Sequence, residues 1–428
     1  MKLANTPPKW TADWFPEEYK IRKYIFDTWR EVCLSYGYEE YLGPLVESVD
    51  IWKAKSWEDV WGSELTQITN RDGVLDGLAI RPEMTPTVTR MASRIWKETD
   101  KPIKWFSIAN YYRNEKPQKG RNREFWQLNA DVFGEESLWA DIEILTLALE
   151  TLRAFSPPKW SYILKLNHRA LIQIFLSEIL WVSDIDEQKQ IIRLMDKYEK
   201  LPMSQYKEKL YSINPRCDYE MIEKFMKARS IEDLSKSFSV LTKTSVFQDF
   251  TYIISTLTEL WYGEEVEFSW SLMRWFDYYD GLIFEMFDTH PDNSRSLFWW
   301  GRYNGLASIF WIQEGIPAIG FAPWDEPMRL FLEWHGLLDV IQHTYSQKYY
   351  FPLLSQKLFS DAHKIAKILR LAWKQVYLWC TEKKLQKSLR YAIKHKYSHI
   401  IIYWSDEQLK KQYIIKDLHT QTEKIMQL

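Results

Sequence analysis

The sequence predicts an α+β fold, with an antiparallel sheet and its helices in residues 1–340 and a smaller α/β domain in residues 341–428, and three patterns carry that expectation. In residues 111–134, YYRNEKPQKGRNREFWQLNADVFG, a period of two sorts Arg123, Phe125, Gln127, Asn129 and Asp131 to one side and Trp126, Leu128, Ala130 and Val132 to the other. That is the alternation of a strand. Residues 104–113 also have strand character, so the two runs form an antiparallel hairpin whose loop, 114–122, carries Lys116, Lys119 and Arg121. Residues 158–240 are mostly helical in pattern. From residue 347 strands and helices alternate around the continuous apolar run 400–403, which implies a small domain with a mainly parallel sheet.

At 428 residues the chain has room for two or three domains, each with its own core. Cys33, Cys217 and Cys380 are widely spaced and suit free thiols of a reducing compartment better than disulfides or a zinc site. The chain has no N-terminal apolar segment and no run of 18 apolar residues, so a cytoplasmic protein without a membrane span is expected. The net charge of −2 hides an asymmetry: from residue 341 onward there are 16 Lys+Arg against 6 Asp+Glu, a local balance of +10. A basic terminal domain on an acidic body points to a polyanionic partner at that end.

Along the chain, Ile21, Ile25, Thr28 and Val32 space one face of a helix from about residue 16 to 36. LAIRPEMTPTVTRM (78–91) reads as a strand, a Pro-limited turn and a helix that Thr85 would cap, with Glu83 a capping or surface carboxylate. In the hairpin, a polar face of Arg, Gln and Asp flanked by cations is a place to hold an anion. In SLMRWFDYYDGLIFEMFD (271–288) a strand-borne Arg274 needs an anion, and Tyr278 and Tyr279 offer hydroxyls.

Several of these stretches together resemble the histidyl-tRNA synthetases, members of the class II aminoacyl-tRNA synthetases. RNEKPQKGRNREFWQ resembles their second signature motif nearly residue for residue, RPEMT matches R-P-E-x-T, and RWFDYYDG resembles R-G-x-D-Y-Y-x-G. WWGRYNGL (299–306) resembles G-G-G-R-Y-D-G-L, and GIPAIGFAPWDEP (315–327) resembles the third motif. The resemblance implies a class II antiparallel-sheet catalytic domain in residues 1–340, with a helical insertion at about 158–240, and an anticodon-binding domain in 341–428. It implies activation of L-histidine by ATP, carried with Mg²⁺ as a substrate complex and with no dedicated protein metal site, then transfer to the 3′ end of tRNA(His). YGYEEYLGPLVES resembles the first motif and implies a homodimer.

Site roles follow from the same match. Arg113 and Arg274 are the catalytic candidates that offset charge at the α-phosphate. Phe125 lies under the adenine, Glu115 near its amino group and Arg121 at the terminal phosphates. Glu83, Thr85 and Gln127 surround the ammonium and carboxylate of histidine, and Asp131 and Tyr279 meet its imidazole with Tyr278 in support. Where the third motif usually has an ATP-gripping Arg the chain has Pro327, with Arg329 or Arg302 as substitutes. One alternative is a noncatalytic synthetase-like regulatory subunit of ATP phosphoribosyltransferase, which typically lacks the terminal domain. Another class II enzyme is a second, disfavoured by RWFDYYDG and REFWQ.

The composition carries an anomaly. The chain has 14 Gly and 23 Trp, where ordinary usage gives roughly 30 Gly. Trp275, Trp299, Trp300 and Trp324 stand at glycine positions of the family motifs, and Trp10, Trp57, Trp181, Trp261, Trp311, Trp373 and Trp404 fall where the surrounding pattern expects glycine. An indole suits neither a positive φ nor a close backbone approach. A source that reads UGA as glycine, translated as though UGA meant tryptophan, accounts for both numbers; the alternative is a truly Trp-rich protein with remodelled loops.

Overall fold

The computed structural model describes residues 4–53, 64–116, 120–198, 200–270, 272, 281–293, 296–339 and 348–428. Arg274, Trp275, Tyr278, Tyr279, Trp57 and Lys119 therefore lie outside the described residues. The chain forms two compact units, Met1–Leu337 and Leu338–Leu428.

In the first unit the strands are β1 (Glu39–Glu40), β2 (Val46–Ser48), β3 (Gln67–Thr69), β4 (Leu75–Ile80), β5 (Ile103–Tyr112), β6 (Glu124–Phe133), β7 (Tyr162–His168), β8 (Val266–Phe268), β9 (Leu282–Asp288), β10 (Ser296–Gly301) and β11 (Ala318–Phe321). They assemble as β1-β5-β6-β11, β10-β9-β7-β8 and β2-β4-β3, and an antiparallel bridge between Arg302 and Ile319 joins the first two sheets. The β5–β6 hairpin is the longest pairing. It runs in unbroken antiparallel register from Ile103 opposite Phe133 to Tyr112 opposite Glu124.

Helix Pro16–Ser35 lies against this hairpin and starts with Pro inside its first turn, where the missing N–H costs nothing. Its buried face is Arg22, Ile25, Phe26, Trp29 and Cys33. The expected stripe shares only Ile25 with it, because the rings of Phe26 and Trp29 bury more apolar area and rotate the helix toward themselves. Helix Leu138–Arg153 is buried nearly all round. The stretch 158–240, expected to be mostly helical, opens instead on β7, whose alternation of Tyr162, Leu164 and Leu166 has a period of two. Helices follow it as far as Glu259.

The second unit carries β12 (Lys348–Leu353), β13 (Gln375–Glu382), β14 (His399–Ile402), β15 (Gln412–Asp417) and β16 (Glu423–Gln427), in the order β13-β12-β14-β15-β16. Its sheet is mixed, where a mainly parallel one was expected. β12 pairs parallel with β13 and β14, whereas β14–β15 and β15–β16 are antiparallel. The link from β15 to β16 is too short for the crossover that a parallel pair needs. The core under the sheet includes Phe351, Leu353, Ile365, Ala366, Ile401 and Tyr403.

Two helix ends expose the tryptophan anomaly in backbone terms. After helix Ser245–Glu259 the Trp261 N–H donates to Thr258 O at 3.0 Å and Tyr262 N–H to Leu257 O at 2.8 Å. After helix Phe359–Leu371 the Trp373 N–H donates to Arg370 O at 3.0 Å and Lys374 N–H to Leu369 O at 3.0 Å. This paired closure needs a left-handed residue at its centre and usually takes glycine there. Gly37 and Gly336 fill the same position in two other helices of this chain. A side chain in that conformation costs about 1 kcal/mol or more, so Trp373→Gly should raise the melting temperature. Equal or lower melting of the variant would contradict the turn assignment.

Candidate active site

The site is built on the hairpin. β6 presents Gln127, Asn129 and Asp131 from one face, and all three are buried, at 0 to 1% exposure. A solvated polar face is thereby excluded: the RPEMT turn, held by Arg113 at Pro82 O, and Tyr303, bonded to Asp131, pack onto it, while β11 pairs along the edge of the strand. The turn is pinned by Arg81, which donates to Gly43 O at 2.8 Å and Asn110 O at 3.0 Å. Arg113 holds it from the hairpin end, its Nε donating to Pro82 O at 2.9 Å. These bonds bring Glu83 and Thr85 to the hairpin, although in sequence they lie far from Gln127. Thr85 begins helix Thr85–Ile95 without capping it: the preceding residue is Met84, and the Thr85 hydroxyl makes no cap bond.

Chemically, the pocket is defined by what it leaves unsatisfied. Glu83 Oε1, Thr85 Oγ1, both amide atoms of Gln127, Asn129 Nδ2 and Asp131 Oδ2 are buried without a hydrogen-bond partner among the described residues. Most buried polar atoms in folded proteins are paired, so a cluster of orphans marks groups reserved for a ligand. Burial raises the Glu83 carboxyl to about 8, moderated by the nearby Arg113 cation. It raises Asp131 to about 7, partly offset by the Tyr303 hydroxyl. The Arg113 guanidinium, also buried, is lowered by desolvation and held up by Glu83 and Glu115.

Asp131 is positioned from two sides. Tyr303 donates to its Oδ1 at 2.6 Å, and Gly320 lies opposite it across β6 and β11. A Cβ at Gly320 would collide with that same carboxylate oxygen and meet Ala130 O at 2.8 Å. Gly320→Ala should therefore destabilise the fold by about 1–3 kcal/mol, read as a lower melting temperature, and weaken whatever Asp131 binds. An unshifted melt would show that the strands part freely. Tyr303 was not anticipated from sequence, though its place in GRYNG was the available signal.

On the other side of Arg113 lie rings and cations. Phe125 stacks on Tyr111 with centroids 5.6 Å apart, and the Arg113 guanidinium lies 5.2 Å from the Phe125 centroid. Arg121 pairs with Glu115 at 3.0 Å. Gly120 and Arg121 line a cavity of about 390 Å³ together with Asp292, Asn293, Trp324 and Pro327. The substitutes for an arginine at 327 are both engaged elsewhere. Arg329 pairs with Glu326 and Glu333 at 2.9 and 2.8 Å, and Arg302 grips Asp141 with two bonds of 3.0 and 2.8 Å. Asp325 is likewise structural, taking Arg22 at 2.6 Å and the Trp126 N–H at 2.9 Å.

Residues 10–324 match the family model described as Histidyl-tRNA synthetase. The histidine--tRNA ligase of Leptospira biflexa serovar Patoc is 35% identical over 424 residues, covering 97% of this chain and 94% of that protein. That of Opitutus terrae is 29% identical over 422 residues, covering 96% and 93%. The crystal structure of histidyl-tRNA synthetase from Nostoc sp. PCC 7120 superposes with a TM-score of 0.83 at 20% identity, covering 100% of this chain and 97% of that one.

Proposed function

The chain belongs to the histidyl-tRNA synthetase family, and from that premise we propose which of its groups activate L-histidine with ATP before transfer to tRNA(His). The observation that carries the reading is the buried set of unpartnered groups on Glu83, Thr85, Gln127 and Asp131 beside Arg113. An amino acid supplies the partners they lack. Its ammonium donates to Glu83, Thr85 and the Gln127 carbonyl, and its imidazole N–H donates to Asp131. A site built around such bonds rejects side chains without that N–H, because the carboxylate would stay buried and unpaired.

Adenylate formation brings the histidine carboxylate toward an anionic α-phosphate. A preorganised cation is then worth most, since it offsets charge without reorganising. Arg113 fills that role from a fixed seat, and Phe125 offers the face on which an adenine stacks. Arg121 and Glu115 stand at the entrance, where ATP arrives as its Mg²⁺ complex. Against the regulatory alternative stand the curated relatives compared above, which are ligases by name. The excess of basic residues in the second unit supports a tRNA backbone partner.

A homodimer fits the first-motif stretch, where Leu42, Leu45 and Val46 expose 72, 43 and 36% of their surfaces. Light scattering should give twice the chain mass; a monomer at micromolar concentration would contradict this.

The raised carboxyls make histidine binding depend on pH. Each keeps its proton in the empty pocket to a higher pH than in the unfolded chain, so each opposes folding as pH climbs from the ordinary carboxylate range through about 7 and 8. The ammonium needs Glu83 charged, and the imidazole N–H needs Asp131 charged. Affinity for histidine should therefore rise at least about tenfold between pH 6 and pH 8, with proton release on binding at the lower pH. Calorimetry in buffers of different ionisation heat reads both, and a flat profile would contradict the pocket as drawn.

A further inference from the structure

We propose that tryptophan stands in this sequence for glycine at positions 10, 160, 181, 261, 311, 324 and 373, the codons being UGA read as glycine in the source cell, and that the residue at 324 decides whether the nucleotide's seat is open. The part concerning 324 rests on the histidine-activating reading; the remainder rests on backbone geometry.

Ten non-glycine residues among those described have a left-handed φ, and six are tryptophan: Trp10 at 70°, Trp160 at 68°, Trp181 at 57°, Trp261 at 65°, Trp311 at 68° and Trp373 at 57°. Drawn in proportion to composition, fewer than one would be. A bulky residue is a poor occupant of that region, which asparagine and glycine favour. Nor does packing retain the indoles there, since Trp181, Trp261, Trp311 and Trp373 leave 83 to 96% of their surfaces in water. A tryptophan selected for its ring looks different: Trp29 is wholly buried in mid-helix, and its codon is expected to be UGG. Trp404 has an ordinary extended φ of −116° and is not included.

Position 324 has another reason. Its φ of −102° suits any residue, but its backbone bridges Gln127 and sends the ring over the hairpin. The indole lies 5.5 Å from the Phe125 ring centroid, 5.3 Å from the Arg113 guanidinium and 5.4 Å from that of Arg121. A fused bicyclic ring held between a phenyl face and two cations takes the place where a purine would stack and its phosphates meet arginine. Glycine there leaves that place empty for the nucleotide.

The decisive test is the tryptic peptide 303–329 of the protein isolated from its source, because it contains both 311 and 324. A mass lower by two tryptophan-to-glycine differences supports the proposal, and the mass of the written sequence overturns it. In the recombinant chain, Trp324→Gly, and more weakly Trp324→Ala, should tighten Mg-ATP binding at least about tenfold, while Trp373→Gly leaves it unchanged. Equal affinity in all three and the parent would overturn the assignment at 324. Glycine in the peptide combined with no histidine-dependent exchange by the glycine-bearing chain would sink the functional reading and leave the codon assignment standing.

Discussion

Arg113→Ala should lower histidine-dependent ATP–pyrophosphate exchange by about 10²–10³-fold in kcat, the usual effect of removing one preorganised donor from a site of developing charge. The guanidinium is buried and its Nε is already committed to Pro82 O, so its remaining face cannot wander from the pocket. Arg113→Lys should recover little, because a compact ammonium on a flexible stem lacks the rigid planar fork that holds that carbonyl with one N–H and aims others at an anion. The loss should fall on kcat, with the dissociation constant for histidine moved far less. Steady-state exchange with both substrates varied separates the two, and a change confined to the histidine constant would remove Arg113 from the chemical step.

The second large effect concerns recognition. Asp131→Asn keeps the shape of the side chain and an acceptor for Tyr303, but it removes the charge proposed to meet an imidazole N–H. The KM for histidine should rise about 100-fold or more, with the KM for ATP unchanged. Stability should hold or improve, since the native carboxyl is already pushed up to about 7 by burial. Thermal melts beside the kinetics distinguish this from a folding defect. An unchanged KM for histidine would transfer imidazole recognition to another group.

How far this site was legible in the sequence differs from residue to residue. Phe125, Gln127 and Asp131 followed from a period of two, because a paired strand fixes which side chains share a face. Their burial did not follow, since the covering elements are distant in sequence. Glu83 and Thr85 read as surface and capping groups until the family match assigned them, because their role depends on Arg81 and Arg113 drawing a loop onto the hairpin. Tyr303 was not readable as the partner of Asp131, as the two lie 172 positions apart in sequence. β16 carries little signal for a simpler reason: all five residues are exposed, and no apolar period marks them. The tryptophans divide instructively. Five of those expected at glycine positions do lie at positive φ and Trp160 joins them unforeseen, whereas Trp324 is decided by space.

The central claim is that one buried pocket recognises histidine and activates it. Pyrophosphate exchange without tRNA, measured for each of the twenty amino acids on the chain carrying its source residues, tests that claim most directly. Exchange with L-histidine alone, lost in Asp131→Asn and Arg113→Ala, is the predicted result. Exchange with no amino acid, or with another one in preference, would contradict it.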